Sequence, residues 1–143
     1  MRKPGWIFLA ILVLLSRLLT GCEASYTEAN SRTSSSQNLK GGELEVKIAK
    51  ANGTSNKGIE VEGGSGLTLE ADVTLSVEKG SYRIELLGAG EDDRVTLVLE
   101  AHDGEAVSGH GQMVVDSFDT ATYRVTAVEA ENVEYTIVYT FRQ

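Results

Sequence analysis

Cysteine, proline and tryptophan occur once each, at Cys22, Pro4 and Trp6, and all three fall within the first 22 of 143 residues. A lone thiol forms no intramolecular disulfide and assembles no metal site by itself. With no proline beyond Pro4, nothing on that ground demotes a later strand to a sheet edge. Positive charge is scarce: 13 Lys and Arg stand against 21 Asp and Glu, a net charge of −8. Such a surplus of acid repels phosphate backbones, so nucleic acid is excluded as an expected partner. Long apolar runs are also missing. The longest, residues 5–15, has 11 residues, short of the ~20 that cross a bilayer and within the ~7–15 of a signal-peptide core.

What is present at the N-terminus has an order. Arg2 and Lys3 are followed by the apolar run, then Arg17, then Leu19-Thr20-Gly21-Cys22. This stretch resembles the lipobox of bacterial lipoproteins, an aliphatic residue, a small residue, Gly or Ala, and Cys. The resemblance implies a signal peptide over residues 1–21, cleavage between Gly21 and Cys22, and acylation of Cys22. Small side chains at Thr20 and Gly21 suit an extended backbone entering a narrow protease site. Arg17 departs from the usual pattern, although a charge this close to the interface can snorkel.

One acyl chain anchors only marginally and two hold stably. A diacylglyceryl group on Cys22 therefore suffices without a basic patch. Loss of residues 1–21 removes three cations and no acid, leaving a mature chain of net charge −11. The expected partner of Cys22 is the lipid bilayer, with the domain on the extracytoplasmic side. Glu23, rather than Asp, implies onward transport to the outer membrane in a Gram-negative cell and has no such meaning in a Gram-positive one.

Residues 22–42 read as the lipidated cysteine and a disordered tether. Nine of the 20 residues from Glu23 to Gly42 are Ser, Thr or Asn, including Ser34-Ser35-Ser36. They have no period of 2 or 3.6 and too few apolar residues to offset the entropy of ordering. A flexible chain of that length spans roughly 25 Å.

From Glu43 the period becomes 2. Leu44, Val46 and Ile48 alternate with Glu43, Glu45 and Lys47, and Ile59 and Val61 with Glu60 and Glu62. Leu67, Leu69, Ala71, Val73, Leu75 and Val77 alternate with polar neighbours over one long strand, expected to bend or switch sheets midway. Further runs cover 82–87, 94–101, 112–115, 122–128 and 133–141. Such alternation puts one row in a core and the other in water. Turn signals separate the runs: Asn52-Gly53, Gly63-Gly64-Ser65-Gly66, Lys79-Gly80, Gly88-Ala89-Gly90, Asp103-Gly104 and Glu131-Asn132. Asn-Gly and Asp-Gly favour hairpin tips. No stretch of ten residues carries helical periodicity. The expectation is all-β: a single antiparallel β-sandwich or jelly-roll-like domain of about eight strands over residues 43–143. In general character it resembles small bacterial adjunct sandwiches, among them pre-peptidase C-terminal-like domains and carbohydrate-binding modules.

Candidate sites are few. His102-Asp103-Gly104-Glu105 reads as solvated turn residues, because a general base needs a nucleophile in reach and these neighbours diverge. Ser108-Gly109-His110-Gly111 lacks the order and strand-to-helix turn of a nucleophile elbow. Its glycines indicate a bulge or a close backbone approach. Glu91-Asp92-Asp93 and the pair Asp116 and Asp119 are candidate carboxylates for Ca²⁺, which takes six to eight oxygens, but with no EF-hand spacing they read first as solvated loops.

Gly63-Gly64-Ser65-Gly66 is no phosphate loop, since no Lys-Ser/Thr follows. Asn52-Gly53-Thr54 matches a sequon but reads as a turn. Tyr82, Tyr123, Tyr135, Tyr139 and Phe141 lie on core-facing rows, leaving Tyr26 and Phe118 outside, so a flat aromatic sugar platform is not expected. No catalytic residue, cofactor or metal is assigned. The resulting expectation is a non-enzymatic, membrane-anchored surface lipoprotein with an interaction domain for an envelope protein or glycan. The alternative is a tethered module that binds carbohydrate or calcium.

Overall fold

A computed structural model describes residues 25–88 and 94–142. The signal peptide, the Gly21–Cys22 cleavage point, the lipid site at Cys22 and the run Glu91-Asp92-Asp93 lie outside the described residues. The strands are β1 (Thr27–Asn38), β2 (Gly41–Glu60), β3 (Thr68–Leu87), β4 (Val95–His102), β5 (Ala106–Val114) and β6 (Thr120–Arg142). They form one antiparallel sheet in the order β1-β2-β6-β3-β4, with β5 also paired to β3. The described residues are thus all-β and form a single domain.

One sheet becomes two layers because its three central strands bend at the same level. The β2–β6 register shifts between Ala51 and Gly53, and the β3–β6 register between Lys79 and Ser81. Left-handed backbone is concentrated there: Gly53 at φ 99°, Gly80 at 75°, Glu129 at 45° and Asn132 at 50°. A Cβ on Gly80 would lie 2.2 Å from the Glu129 carbonyl oxygen, so both φ and space require glycine.

β6 shows the fold-back directly. Tyr123 and Tyr135 are 12 positions apart, about 40 Å in an extended strand, yet their hydroxyls are 3.0 Å apart. One layer contains β1, residues 41–51 of β2, β5, and the paired halves of β3 and β6 that meet Thr68–Val77. The other contains the remaining halves of β2, β6 and β3, with β4.

The alternating rows expected to be apolar meet between the layers. Leu69, Ala71, Val73, Tyr82, Ile84, Leu86, Val125, Val133 and Ile137 have no accessible surface, and no polar residue is buried among the described residues. Tyr82, Tyr123, Tyr135 and Tyr139 are buried as expected, and Phe141 packs against the core. The glycines of β5 mark a close approach and no bulge: a Cβ on Gly111 would sit 2.7 Å from Leu97 Cβ, and one on Gly109 2.9 Å from Leu97 Cδ1, while both keep register with β3.

Two expectations need correction. Asn52-Gly53, Lys79-Gly80 and Glu131-Asn132 are bends inside continuous strands, so about eight short strands are in fact six, three of them of 20 residues or more. A residue pair that tolerates positive φ permits a hairpin but equally permits a bulged corner. The second correction concerns the tether. Residues 27–38 are β1, paired antiparallel with β2 from Thr27↔Asn52 to Asn38↔Gly41. Nearly every residue of β1 is exposed, because no strand of the second layer lies opposite. Backbone ladder bonds order a segment that buries almost nothing.

Candidate functional site

The bend gives the molecule two unlike ends. Layer one finishes at Asn38↔Gly41, Gly41↔Thr140, Thr68↔Arg142 and Thr68↔Val114. Layer two finishes at Glu60↔Thr120, Leu86↔Tyr123 and Leu87↔Val95. Both finish opposite the bend, so turn 39–40 and loops 61–67 and 115–119 share one end, the loop end.

Two aspartates order that end. Asp119 (φ 59°) accepts hydrogen bonds from the backbone N–H of Gly63 at 3.1 Å and Ser65 at 3.1 Å. Its carbonyl accepts from Val61 N–H at 2.8 Å. Asp116 Oδ1 accepts from the N–H of Phe118 at 2.8 Å and Thr120 at 3.1 Å. Gly66 N–H donates to the Val115 carbonyl at 2.9 Å, joining the two loops. Three of the four carboxylate oxygens of the pair considered for Ca²⁺ thus accept from loop amides. Among the described residues no group of three or more His, Cys, Asp or Glu is arranged to hold a metal ion.

On this braced turn sits Phe118, 87% exposed, and turn 39–40 at the same end carries Leu39, 98% exposed. These are the two most exposed large apolar side chains among the described residues. A turn fixed by side-chain and backbone bonds that still projects an aromatic ring into water has the form of a contact point.

A chain of tyrosines runs from the bend end into the core, Tyr26 and Tyr82 near the bend and Tyr135 and Tyr123 farther in. Tyr26, expected outside, is half-buried and packs against the core. Its hydroxyl donates to Glu28 Oε1 at 2.5 Å, which commits its one proton. Tyr82 must then be the donor across their 3.0 Å contact. The Tyr82 ring stacks on Tyr135 at 5.8 Å, and Tyr135 meets Tyr123 edge-on at 6.1 Å. Lys57 Nζ lies 4.9 Å from the Tyr26 ring centroid and 3.2 Å from Glu28. Burial is the main cause that raises all four phenols above the ordinary tyrosine value, with Tyr123 pushed up to about 12. They remain neutral hydrogen-bonding groups at physiological pH. A groove of about 820 Å³ crosses this end, lined by residues including Lys50, Lys79, Asp103, Val128, Glu129 and Glu131.

Neither histidine is placed beside a nucleophile. His102 Nε2 meets Glu100 Oε1 at 3.2 Å, while Asp103 Oδ1 accepts from Gly80 N–H at 2.7 Å and Glu105 Oε2 from His102 N–H at 2.9 Å. That cluster ties the β4–β5 turn to the β3 bend.

His110 is held on the outer face of layer one between Asp72 Oδ1 at 2.8 Å and Glu70 Oε2 at 3.0 Å. Hydrogen bonds to these carboxylates, that to Asp72 first, raise its pKa. Both ring nitrogens are committed, so His110 is not oriented toward Ser108. Gln112 and Arg142 also reach Glu70, at 2.8 and 3.2 Å. Sequence reasoning missed this cluster because its members come from three strands whose pairing is tertiary. The signal in the sequence was that Glu70, Asp72 and Gln112 occupy polar positions of alternating runs.

No family model and no curated protein matches the chain. Solved structures that resemble it include one described as "Bacillus endospore appendages form a novel family of disulfide-linked pili", with TM-score 0.45 and 16% identity, over 80% of this chain and 95% of that one. Another, "CBM4 structure and function", has TM-score 0.40 and 8% identity, over 80% of this chain and 79% of the other. A third, "Xylan-Binding Domain from CBM 22, formally x6b domain", has TM-score 0.38 and 14% identity, over 85% and 88%. Likeness at this level bears on neither ligand nor activity.

Proposed function

We propose that the protein is a lipid-anchored, extracytoplasmic, non-catalytic binding domain that holds an envelope macromolecule at its loop end. The observation that carries the reading is Phe118, 87% exposed on a turn whose backbone is fixed by Asp116 and Asp119. An exposed apolar ring normally costs solubility; on a rigid turn it is pre-organised for contact and loses little entropy on binding. The anchoring half rests on Leu19-Thr20-Gly21-Cys22. Localisation follows from it: the cell membrane, or the outer membrane of a Gram-negative cell.

Two experiments test the two halves. Cys22→Ser should abolish alkyne fatty-acid labelling and leave uncleaved precursor; normal labelling and processing of the variant would refute the anchor. For binding, a photocrosslinker at Ser117 should give one discrete adduct in intact cells, and Phe118→Ala should reduce it at least tenfold. An unchanged adduct in the Ala variant removes Phe118 from the contact.

A second reading, a carbohydrate-binding module, is favoured by the same ring, because an exposed aromatic face also stacks on a sugar. A glycan array with the wild type and the Phe118→Ala variant separates it from a protein partner.

A further inference from the structure

The strand that replaces the expected tether fixes where the domain can sit. Ser25 bridges Thr54 in parallel, Tyr26 is hydrogen-bonded to Tyr82 in the core, and Thr27 begins the β1 ladder opposite Asn52. Every one of these contacts is at the bend. Only Glu23 and Ala24 separate Cys22 from Ser25. Three Cα steps reach about 11 Å at full extension, whereas a free 20-residue tether would span roughly 25 Å and leave the domain to tumble. The headgroup zone on each side of the hydrocarbon is itself about 5–7 Å deep. A Cys22 whose acyl chains lie in the hydrocarbon thus brings Ser25, and the end of the sandwich to which it is fixed, against the headgroups.

Resting on the anchored reading, we infer that the bend end is a membrane-facing surface, and that β1 is a rigid mount which points the loop end away from the bilayer. The occupant of the groove across the bend is the headgroup layer. The groove carries Lys50 and Lys79 beside Glu28, Asp103, Glu129 and Glu131, a mixed surface with more acid than base. That composition fits zwitterionic headgroups, whose ammonium groups meet the carboxylates and whose phosphates meet the lysines. An anionic leaflet would repel it. Val128, 58% exposed, lies on the same rim. Residues 41–51 of β2 span the molecule from loop end to bend, roughly 35 Å at the strand rise. Phe118 is therefore carried about that far above the surface, where a macromolecule rather than lipid is met.

The lone cysteine makes the test direct, because a lipidated Cys22 leaves any introduced thiol unique. The mature protein, with Ser81→Cys or Ser117→Cys carrying the same fluorophore, is reconstituted in phosphatidylcholine/phosphatidylethanolamine vesicles with headgroup-linked nitroxide lipid. Mass spectrometry of the N-terminal peptide first establishes lipidation. The expected result is quenching at least threefold stronger at position 81 than at 117. A 15-residue Gly/Ser insertion after Ala24 should bring the ratio near one. Equal quenching in the lipidated, uninserted protein, or contrast that survives the insertion, overturns the mount while the anchor stands. An unmodified Cys22 overturns the anchor, and the orientation with it.

Discussion

The bend end and the loop end are both tight, but they are made tight by different means. At the bend, backbone sterics decide: Gly80 has a positive φ and no room for a Cβ beside Glu129, and Tyr26 is hydrogen-bonded to Tyr82 beside it. At the loop end, side chains decide: the carboxylates of Asp116 and Asp119 accept from four loop amides. A corner built from backbone leaves no freedom at Gly80. A loop braced by two short side chains leaves its other positions free, and these carry the exposed Phe118. The contrast suits one end to fixing the domain and the other to meeting a partner.

The comparison can be broken most severely at the corner. Gly80→Val should destabilise by more than about 3 kcal/mol, combining strained φ with a clash against the Glu129 carbonyl; urea unfolding measures it. Next in size is Asp119→Ala, which hands the exposed amides of Gly63 and Ser65 to water and should cost about 0.5–1.5 kcal/mol per lost bond. Asp119→Asn should cost less, since Asn tolerates the left-handed backbone and keeps one acceptor.

Tyr26→Phe removes the hydroxyl between Glu28 and Tyr82 and should cost about 1 kcal/mol. Hydrogen exchange should then rise in β1 while the loop end stays protected. Equal loss of protection at both ends would show that they are one cooperative unit.

The smallest effect belongs to neither end. His110 has its pKa raised by Asp72 and Glu70. Its contribution is fully present below the ordinary imidazole value of 6.5 and is lost as pH rises through the raised one. The stability difference between wild type and His110→Gln should therefore shrink with rising pH. A difference that grows instead would mean that the ring acts as a neutral acceptor.

Legibility from sequence differed from residue to residue. The inward rows of β2, β3 and β6 were readable because burial on one face leaves period-2 alternation. The tyrosines of the core were readable for the same reason. β1 was not readable: its ladder bonds are made by backbone, which every sequence carries, and its side chains bury too little to leave a pattern. The braces at Asp116 and Asp119 were visible only as two acids near a turn, since nothing local shows that one of them reaches Gly63 and Ser65 more than 50 positions away.

The sequence alone determined that the domain is all-β, which side of β2, β3 and β6 faces inward, and that residues 19–22 have the pattern of an acylation site. These are local properties, set by side-chain alternation and by a short contiguous motif. Only the tertiary structure decided that Asn52-Gly53, Lys79-Gly80 and Glu131-Asn132 are corners within strands, that the supposed tether is an edge strand, and that Tyr26 pins it to the core. The physical reason is that a residue able to take a left-handed φ allows both hairpin and bend. Long-range pairing and the burial it brings choose between them.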